Sequence, residues 1–544
     1  LYNDMKQQYY ASSAGSESYW NGYKGRAEMK YQKWYTNRLE WLGNYALNLG
    51  DHNIKAVVGY TYEKSIWEQI GGSNNDFSFD NTKYWDLGSG SYLKDGLASL
   101  YSGRSESTLI GFFGRLNYNW KDMLFASASL RYEGSSKFGA NQKWGYFPAA
   151  SLAWEMMEMG FMKNTRKVLT SLKPRVSFGI TGRSDFDAYK SLSTYNTNGS
   201  YLFDGRWVTG YAPSSNANPD LAWEKSVAIN LGVDFVLWNR LRGSVEYFDR
   251  SSKDLLYTYT APQPPFVYST ILVNVGTTKN TGIEVSLDGD ILTKTAVKWT
   301  SGINYSYGKT KLTKLSNDIY KASYLDLYLK PGTGSSEYFF RVQEGGEIGQ
   351  FYGYEYAGVD ENGNMLILND KDEQIPISQA DAKYKRYIGN GAPKHFLSWS
   401  NNLTWRNFDL SVFFRGTFGF DVFNMRKYGM GLQGCGTDNV LRSAYLEDKN
   451  IRTGGGVISS YFLEDGSFIK LENVTLGYNF TPKNRKLLDN MRIYLSAKNL
   501  FTLTGYSGND PSIIDVNGIQ PGVDSNSAYP TATQLSLGVT LRFK

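Results

Sequence analysis

Apolar and polar residues alternate along the last ten residues of the chain, LSLGVTLRFK (535–544). Side chains on a β-strand point in turn to opposite faces, so this segment predicts a strand with one apolar and one polar face. The same alternation occurs in DMLFASASLRYEG (122–134), NFDLSVFFRGTF (407–418) and NVTLGYNF (473–480). We therefore predict an all-β chain whose strands, at roughly 11–15 residues, suit a tilted crossing of a bilayer.

About seventeen such strands are predicted, and the connections between them alternate in length. Short turns such as WKD (120–122), WNR (238–240), EGGEIG (344–349) and WRN (405–407) alternate with long stretches rich in Gly, Ser and Asn. This is typical of an outer-membrane β-barrel with short periplasmic turns and long external loops, whereas a propeller would repeat at a fixed period. The predicted strands span residues 34–48, 53–69, 107–119, 123–137, 145–156, 172–183, 224–237, 241–256, 268–289, 296–311, 337–343, 349–359, 394–404, 408–420, 467–480, 490–504 and 533–543.

The direction of the strands follows if the last strand ends in the periplasm. Counting back, the first predicted strand also runs inward, so residues 1–33 form an external loop and residues 34–544 supply the membrane strands. A barrel that begins outside and ends in the periplasm cannot close by itself on an odd strand count. The pattern therefore predicts that further strands precede this chain.

Composition adds an interfacial signature. The chain has 42 Tyr, 29 Phe and 14 Trp residues, and such rings are favoured at bilayer interfaces, although a Tyr-rich glycan-binding sandwich or propeller is an equal alternative on this feature. No apolar run of about 18 residues exists, which excludes membrane helices. The net charge of +6 and the absence of long basic runs give no sign of nucleic-acid binding, and a single cysteine excludes an intramolecular disulfide.

Several segments carry a family resemblance, in order along the chain from about residue 105 to its end. The chain resembles SusC/RagA-type TonB-dependent outer-membrane transporters. The resemblance implies a transmembrane antiparallel barrel of 22 strands closed by an N-terminal plug, of which this chain is the C-terminal barrel portion without plug or TonB box. The segments are NANPDLAWEKS (216–226), NVGTTKNTGIEVSL (274–287), EIGQFYGYEYAGV (347–359), YIGNGAPKHFLSWSNNLTWRNFDLSVFFRG (387–416), GSFIKLENVTLGYNF (466–480), MRIYLSAKNLFTLTGYSGNDPSI (491–513) and YPTATQLSLGVTLRFK (529–544).

The function implied by this resemblance is active import of a nutrient across the outer membrane, without a cofactor. The expected cargo is an oligosaccharide, with peptides as the alternative within the family. The expected partners are a SusD-like surface lipoprotein acting as a lid, outer-membrane lipid, and the TonB complex, reached through an N-terminal segment outside this chain; pairs of barrel and lid are expected to dimerise. Relatives often carry a calcium-like acidic loop after YAGV, for which Asp370 and Asp372 are the weak candidates here.

Two groups of residues are candidates for function. The polar faces of the strands predict lumen- or plug-facing positions, and the loop NTNGSYLFDGRWVTGYAPSSN (196–216) predicts aromatic ligand contacts or docking against the lid protein. The lumen candidates are Arg115, Asn117, Arg131, Glu133 and Arg415, and the ligand-contact candidates are Tyr201, Phe203, Asp204, Arg206, Trp207, Tyr211 and, in a second loop, Trp85.

No pair of carboxylates stands out as an acid and base, so the chain is not predicted to be an enzyme. Two other classes remain open at this point. A secreted β-rich glycan hydrolase or binding protein would be soluble without detergent, and a passive porin would conduct ions without a plug or TonB.

Overall fold

The computed structural model describes residues 2–316, 321–330, 337–433, 439–446, 451–452, 456–482, 488–525 and 529–543. Within them, sixteen strands form one sheet in which every strand pairs antiparallel with the next along the chain. The strands are β1 (Tyr2–Ala11), β2 (Arg26–Leu49), β3 (His52–Asn75), β4 (Ser99–Trp120), β5 (Leu124–Ser135), β6 (Trp144–Trp154), β7 (Leu169–Arg183), β8 (Glu224–Leu237), β9 (Leu241–Lys253), β10 (Thr277–Leu292), β11 (Val297–Lys314), β12 (His395–Trp405), β13 (Phe408–Phe418), β14 (Phe468–Phe480), β15 (Leu488–Thr504) and β16 (Gln534–Phe543).

The two ends of this sheet differ in their connections. At one end the strands are joined by 50–51, 121–123, 155–168, 238–240, 293–296, 406–407 and 481–487. Several of these turns have a positive φ, as at Lys121, Asp122, Trp238 and Asn239, the backbone that tight hairpin turns require. At the other end the long stretches predicted as external loops connect the strands. The predicted all-β antiparallel fold is therefore confirmed.

Three of the predictions about the strands are wrong. Residues 268–289 are not one strand, because Thr270–Asn274 pairs with Leu256–Thr260 outside the wall and Thr277–Leu292 belongs to the wall. Residues 1–33 are not wholly a loop, because β1 pairs with residues 26–35 of β2. This strand has polar residues on both faces, so it lacks the alternation that revealed the others. Residues 337–343 and 349–359, with the turn EGGEIG between them, lie outside the wall. Their apolar residues Phe339, Phe340 and Phe351 are buried in a separate core, and the consecutive residues Phe339 and Phe340 are both buried, so neither face of that strand meets lipid.

One face of the wall, here the apolar face, carries large apolar side chains that are exposed and form a continuous band. A band of this extent is not tolerated in water and marks a surface that faces lipid. An aromatic row crosses five strands at its long-loop edge, where Trp41 pairs with Tyr60, Tyr60 with Phe112, and Phe112 with Tyr132, next to Tyr146. Residues in the band are Leu39, Val58, Leu116, Leu130, Leu152, Val176, Leu231, Val245, Ile283, Ile303, Leu495, Leu537 and Val539.

The strands differ widely in length. Strands β2 and β3 have 24 residues each and β4 has 22, whereas β5 has 12 and β6 has 11. A strand rises ~3.3 Å per residue and tilts by ~40° in a membrane barrel, where the apolar band is about 25 Å tall. The long-loop halves of β2–β4 therefore stand well above the bilayer.

The long loops fold into smaller sheets of their own beyond the wall. Segments from three loops share a buried core that includes Phe339, Phe351, Phe423 and Phe462, and we call this unit the external domain. Its strands are Tyr324–Leu329, Tyr338–Gln343, Gln350–Gly353, Arg386–Asn390, Tyr356–Val359, Met365–Leu368, Gln374–Pro376, Asp421–Asn424, Leu463–Asp465 and Val523–Asp524. Other loops contain the hairpins Tyr195–Phe203 with Arg206–Pro213 and Leu256–Thr260 with Thr270–Asn274.

Helices are short and lie in the loops. The α-helices are Ser16–Asn21, Met425–Met430 and Ser443–Leu446. Single 3-10 turns occur at Leu87–Ser89, Ser91–Leu93, Met156–Glu158, Gly160–Thr165, Ile377–Gln379, Ala382–Tyr384, Ser460–Phe462 and Pro511–Ile513. In the part of the chain that the structure describes, none of the helices is both long and apolar enough to span a membrane.

Candidate functional site

The face of the wall opposite the lipid band, here the polar face, carries a series of ion pairs between neighbouring strands. Arg175 lies 2.6 Å from Glu246 and 3.2 Å from Asp234, which joins β7, β8 and β9. Arg492 of β15 lies 2.5 Å from Asp409 of β13. Exposed pairs of this kind contribute little stability each, so their main effect is to present fixed charges and hydrogen-bonding groups to the enclosed space.

The five predicted lumen candidates lie on this polar face. Arg131 and Glu133 form an ion pair on β5, and the Arg131 guanidinium also donates to the Thr61 hydroxyl at 3.3 Å. Arg415 on β13 lies 2.7 Å from Glu472. The remaining two, Arg115 and Asn117, line a cavity of about 440 Å³ with Lys55, Asn53 and Ser127 among its other residues. Their proposed contact with a plug remains a prediction.

A larger cavity, here the mouth cavity, opens where the polar face rises above the bilayer. It has a volume of about 800 Å³ and lies between the tall strands β2–β4 and the loops that follow β7 and β9. Its rim carries the charged residues Lys137, Asp185, Asp187 and Lys190. A cavity of this size is within the range of sites for small molecules.

Two tryptophans form one wall of the mouth cavity. Trp34 of β2 and Trp67 of β3 are directly opposite each other in the strand register, and Trp67 is also opposite Ser105 of β4. Among the described residues, the hydroxyls of Ser105 and Ser107 have no hydrogen-bond partner within the protein, so they are available to a ligand. Flat aromatic rings beside free hydroxyls can bind a molecule that has both apolar and hydroxylated surfaces.

The sequence analysis missed this tryptophan pair, although a signal for it existed. The tight turn at Gly50 and Asp51 fixes the β2–β3 register, in which Leu49 is opposite His52. Following that register outward by fifteen positions brings Trp34 opposite Trp67. Both tryptophans lie inside the predicted strands 34–48 and 53–69, so the register of this hairpin alone predicts that they are paired.

A second cavity, of about 390 Å³, lies on the polar face beneath the loop between β15 and β16. Its lower wall has small polar residues such as Ser286 and Ser398, and its upper part has Phe396, Phe468 and Ile514. The loop is held in place by Lys470, which is 2% exposed and lies 3.2 Å from Asp510. The Lys470 ammonium also donates to the hydroxyls of Ser512 and Thr531. This loop therefore narrows the space enclosed by the wall.

The aromatic loop candidates lie together on a hairpin outside the wall. Its strands Tyr195–Phe203 and Arg206–Pro213 meet at a tight turn in which Asp204 and Gly205 both have a positive φ. The exposed fractions are 53% for Tyr201, 66% for Phe203, 75% for Trp207 and 71% for Tyr211, and Arg206 is opposite Phe203. The rings are therefore exposed to water, and their predicted contact with a ligand or with a lid protein remains a prediction.

The remaining candidates lie elsewhere. Trp85 is in the loop between β3 and β4, is 68% exposed, and has the Lys6 ammonium 5.1 Å from its ring centre. Asp372 forms an ion pair with Arg386 at 2.6 Å, and Asp370 is exposed on the same turn. Across the described ranges, no three His, Cys, Asp or Glu side chains are grouped so as to hold a metal ion, and a calcium site at these two carboxylates remains only a weak prediction.

One carboxylate of the external domain is expected to make its stability depend on pH. Burial raises the pKa of Asp421, the hydrogen bond from the Asn390 amide opposes the rise, and repulsion from Asp465 adds to it. A raised folded-state pKa stabilises the protein below the unfolded pKa, and this contribution is lost as the pH rises through the folded value. We therefore expect Asp421→Asn to remove this loss and to raise the unfolding temperature at neutral pH.

Thermal unfolding at acidic and at neutral pH measures this effect. Asp465→Asn is the matched control, because Asp465 is exposed and its removal relieves only the repulsion. A lower unfolding temperature for Asp421→Asn at neutral pH would contradict the assignment.

A wall with a lipid-facing band, a polar inner face and long folded loops defines an outer-membrane β-barrel. The model of the family described as TonB dependent receptor-like, beta-barrel matches residues 1–500, and the chain belongs to that family. This places it in the outer membrane rather than among secreted proteins.

Individual relatives agree with this assignment. The chain is 28% identical to TonB-dependent receptor P3 of Formosa agariphila, over 96% of this chain and 54% of the relative. It is 27% identical to TonB-dependent receptor SusC of Bacteroides thetaiotaomicron, over 94% of this chain and 51% of the relative. The predicted resemblance to SusC-type receptors is thus confirmed, and the chain spans about half the length of these curated relatives.

Solved structures show the same fold. The structure of the RagAB peptide transporter matches 99% of this chain over 59% of the RagAB chain, with a TM-score of 0.83 and 24% identity. A RagAB peptide importer in an open-open state matches with a TM-score of 0.79. At 24% identity the structural similarity shows the fold of this chain and does not identify its cargo.

Proposed function

We propose that this chain is the barrel portion of a TonB-dependent importer whose cargo is an oligosaccharide. The observation that carries the proposal is the mouth cavity, where Trp34 and Trp67 adjoin the unpartnered hydroxyls of Ser105 and Ser107. Sugar rings have an apolar face that can stack on indole and a rim of hydroxyls that can bond to serine. In this proposal the wall binds and guides cargo and performs no catalytic step.

A peptide is the second candidate cargo, and one observation favours it. Among the described residues, Asp187 and Lys190 on the rim of the mouth cavity have no ion-pair partner within the protein. A free carboxylate and a free ammonium at one rim can bind the two charged ends of a short peptide. Neutral oligosaccharides have no use for either group, so the two cargoes differ in their dependence on these residues.

The partners are part of the same proposal. The exposed hairpin Tyr195–Pro213 would dock against a SusD-like surface lipoprotein that covers the mouth, which would bury rings now exposed to water. The same rings could instead contact cargo directly, and Trp85 is a second, separate contact of this kind. A plug inside the wall, drawn by the TonB complex through a segment outside this chain, would open the path past Arg115, Arg131 and Arg415. Dimers of barrel and lid would complete the assembly.

Binding to the purified protein tests the cargo. We expect Trp34→Ala and Trp67→Ala each to weaken oligosaccharide binding by about thirtyfold, the size typical of a tryptophan at the centre of a binding site. Isothermal titration with a panel of neutral oligosaccharides and short peptides measures this. Trp41→Ala is the matched control, because Trp41 lies on the same strand but on the apolar face, 60% exposed.

Two outcomes would reject the oligosaccharide. Peptides that bind while sugars do not, with loss on Asp187→Asn or Lys190→Gln, would select the peptide importer. Equal losses for Trp34→Ala and Trp41→Ala would show that the effect is not local to the cavity. Uptake that persists in cells without TonB would indicate a passive porin.

A further inference from the structure

Five lysines lie on the apolar face of the wall, just beyond the long-loop edge of the apolar band. Lys253 of β9 is twelve residues beyond Leu241, where that strand begins, and Lys309 of β11 is twelve residues beyond Val297. With a rise of ~3.3 Å per residue and a tilt of ~40°, this is about 30 Å from the short-turn end, compared with an apolar band of about 25 Å. The lysines therefore lie at the level of the outer-leaflet headgroups. They are Lys225, Lys253, Lys279, Lys309 and Lys311.

The side of the wall on which they lie follows from the strand alternation. Lys253 has the same parity on β9 as Val245 and Tyr247, which are exposed on the apolar face. Lys279 has the parity of Ile283 on β10, and Lys311 that of Ile303 on β11. An ammonium directly above a lipid-facing band meets the headgroup layer, and the aromatic Tyr247 beneath it is typical of that boundary.

Within the protein, four of these lysines repel one another in pairs across neighbouring strands. Lys225 is directly opposite Lys253, and Lys279 is directly opposite Lys311. Like charges directly opposite each other across two strands destabilise a sheet. Two such pairs on adjoining strands therefore need an external anion to offset the repulsion.

Nearby carboxylates offset only part of this charge. Asp249 lies 2.8 Å from Lys279, and Glu347 lies 2.5 Å from Lys309. Within the ranges that the structure covers, Lys225, Lys253 and Lys311 form no ion pair. The cluster thus retains three unpaired ammonium groups.

The same side of the wall shows a different arrangement on β3 and β4. Lys64, twelve residues beyond His52, lies 3.4 Å from Glu106, and further out Glu68 is directly opposite Arg104, with an N–O distance of 3.3 Å. Charges there alternate in sign and are satisfied within the protein. These positions of β3 and β4 therefore lack the excess of positive charge found on β8–β11.

We propose that the lysine cluster of β8–β11 is a binding site for a phosphorylated lipid headgroup of the outer leaflet. Two phosphates on one headgroup would each bridge a pair of opposed lysines, and its acyl chains would lie along the apolar face below. Basic clusters at the membrane surface bind anionic headgroups in this way. The site would hold one lipid against the wall.

Lipid binding to the delipidated protein in detergent tests the proposal, with native mass spectrometry as the readout. We expect bis-phosphorylated lipid A to bind the wild-type protein. The double variant Lys253→Gln, Lys311→Gln should bind it about thirtyfold more weakly, because each lysine near a membrane surface strengthens binding roughly fivefold. This variant removes one member of each opposed pair and keeps the Lys279–Asp249 ion pair. Lys64→Gln with Arg104→Gln is the matched control and should leave lipid A binding unchanged.

Further measurements distinguish a lipid from a free anion and test whether the lysines have a structural role instead. Equal binding of dephosphorylated lipid A, or equal loss in the control variant, would overturn the proposal. Inorganic phosphate that competes as well as lipid A would show a site for a free anion and reject the lipid. In lipid-free detergent the Lys253→Gln, Lys311→Gln protein should unfold at the wild-type temperature or above it, because repulsion is relieved. A lower temperature would indicate that the lysines hold the wall together, contrary to the proposal.

Discussion

Replacing Lys470 by methionine is expected to lower the free energy of unfolding by about 3–5 kcal/mol, the cost of leaving one partner of a buried ion pair alone. Lys470 is 2% exposed, and its ammonium lies 3.2 Å from the Asp510 carboxylate. Methionine fills a similar volume but supplies no charge and no donor. The Asp510 carboxylate would then remain buried without its cation, and the loop between β15 and β16 would leave the wall to hydrate it. Equilibrium unfolding in denaturant and limited proteolysis of that loop measure the two effects.

The matched control is the double variant Lys470→Met, Asp510→Asn. Asparagine removes the unpaired charge and keeps an oxygen for the Ser512 amide, which now donates to Asp510 at 2.9 Å. Most of the lost stability should return. If the double variant is no more stable than Lys470→Met, the destabilisation does not come from the stranded carboxylate and this explanation is wrong.

Placing an arginine at Leu537 is expected to destabilise the folded protein in a bilayer by about 2–4 kcal/mol. Leu537 is on β16, faces lipid, is 75% exposed and is opposite Leu495. A guanidinium there would have to leave water for hydrocarbon. Unfolding in liposomes measures the loss, and a reduced heat-modifiable fraction in the outer membrane should accompany it.

Ser536→Arg is the comparison for this substitution. Ser536 is the preceding residue on the same strand and is opposite Ser496 on the polar face. Its arginine would remain in water, so stability should change by much less than for Leu537→Arg. Equal effects at the two positions would mean that the apolar face does not touch lipid, and the membrane assignment would fail with it.

Most wall strands were predictable because lipid on one side and water on the other impose the alternation directly on the sequence. Strand β1 was not, since its sequence YNDMKQQYYA lies where both faces are wet and nothing selects for apolar residues. The opposite error arose at 337–343 and 349–359, whose apolar residues, such as Phe340 and Phe351, are buried in the core of the external domain and do not face lipid. The apolar pattern of a strand shows that one of its sides is excluded from water. It does not show whether lipid or a protein core covers that side.

The candidate site was predictable only where it depended on single strands. Positions such as Arg131 and Glu133 follow from the parity of one strand, and the structure places both on the polar face. The pairing of Trp34 with Trp67 follows from the hairpin register, but the mouth cavity around them depends on how β2, β3 and β4 align with two distant loops, which the sequence does not show. The aromatic hairpin was visible in the sequence as exposed rings around an Asp-Gly turn, but its possible partners lie outside this chain.

The uneven lengths of the strands determine which parts of the wall rise above the membrane. Strands β2 and β3, at 24 residues, reach about 60 Å along the barrel axis, whereas β5 and β6, at 12 and 11 residues, reach about 30 Å. The connection between β5 and β6 at that end is only residues 136–143. The wall itself is therefore tall at β2–β4 and low at β5–β6. Above the low strands, residues of the loop that follows β7 pack onto this connection, where the Gly139 amide donates to the Leu221 carbonyl and Phe138 packs on Trp223, so that loop supplies the height that β2–β4 have by themselves.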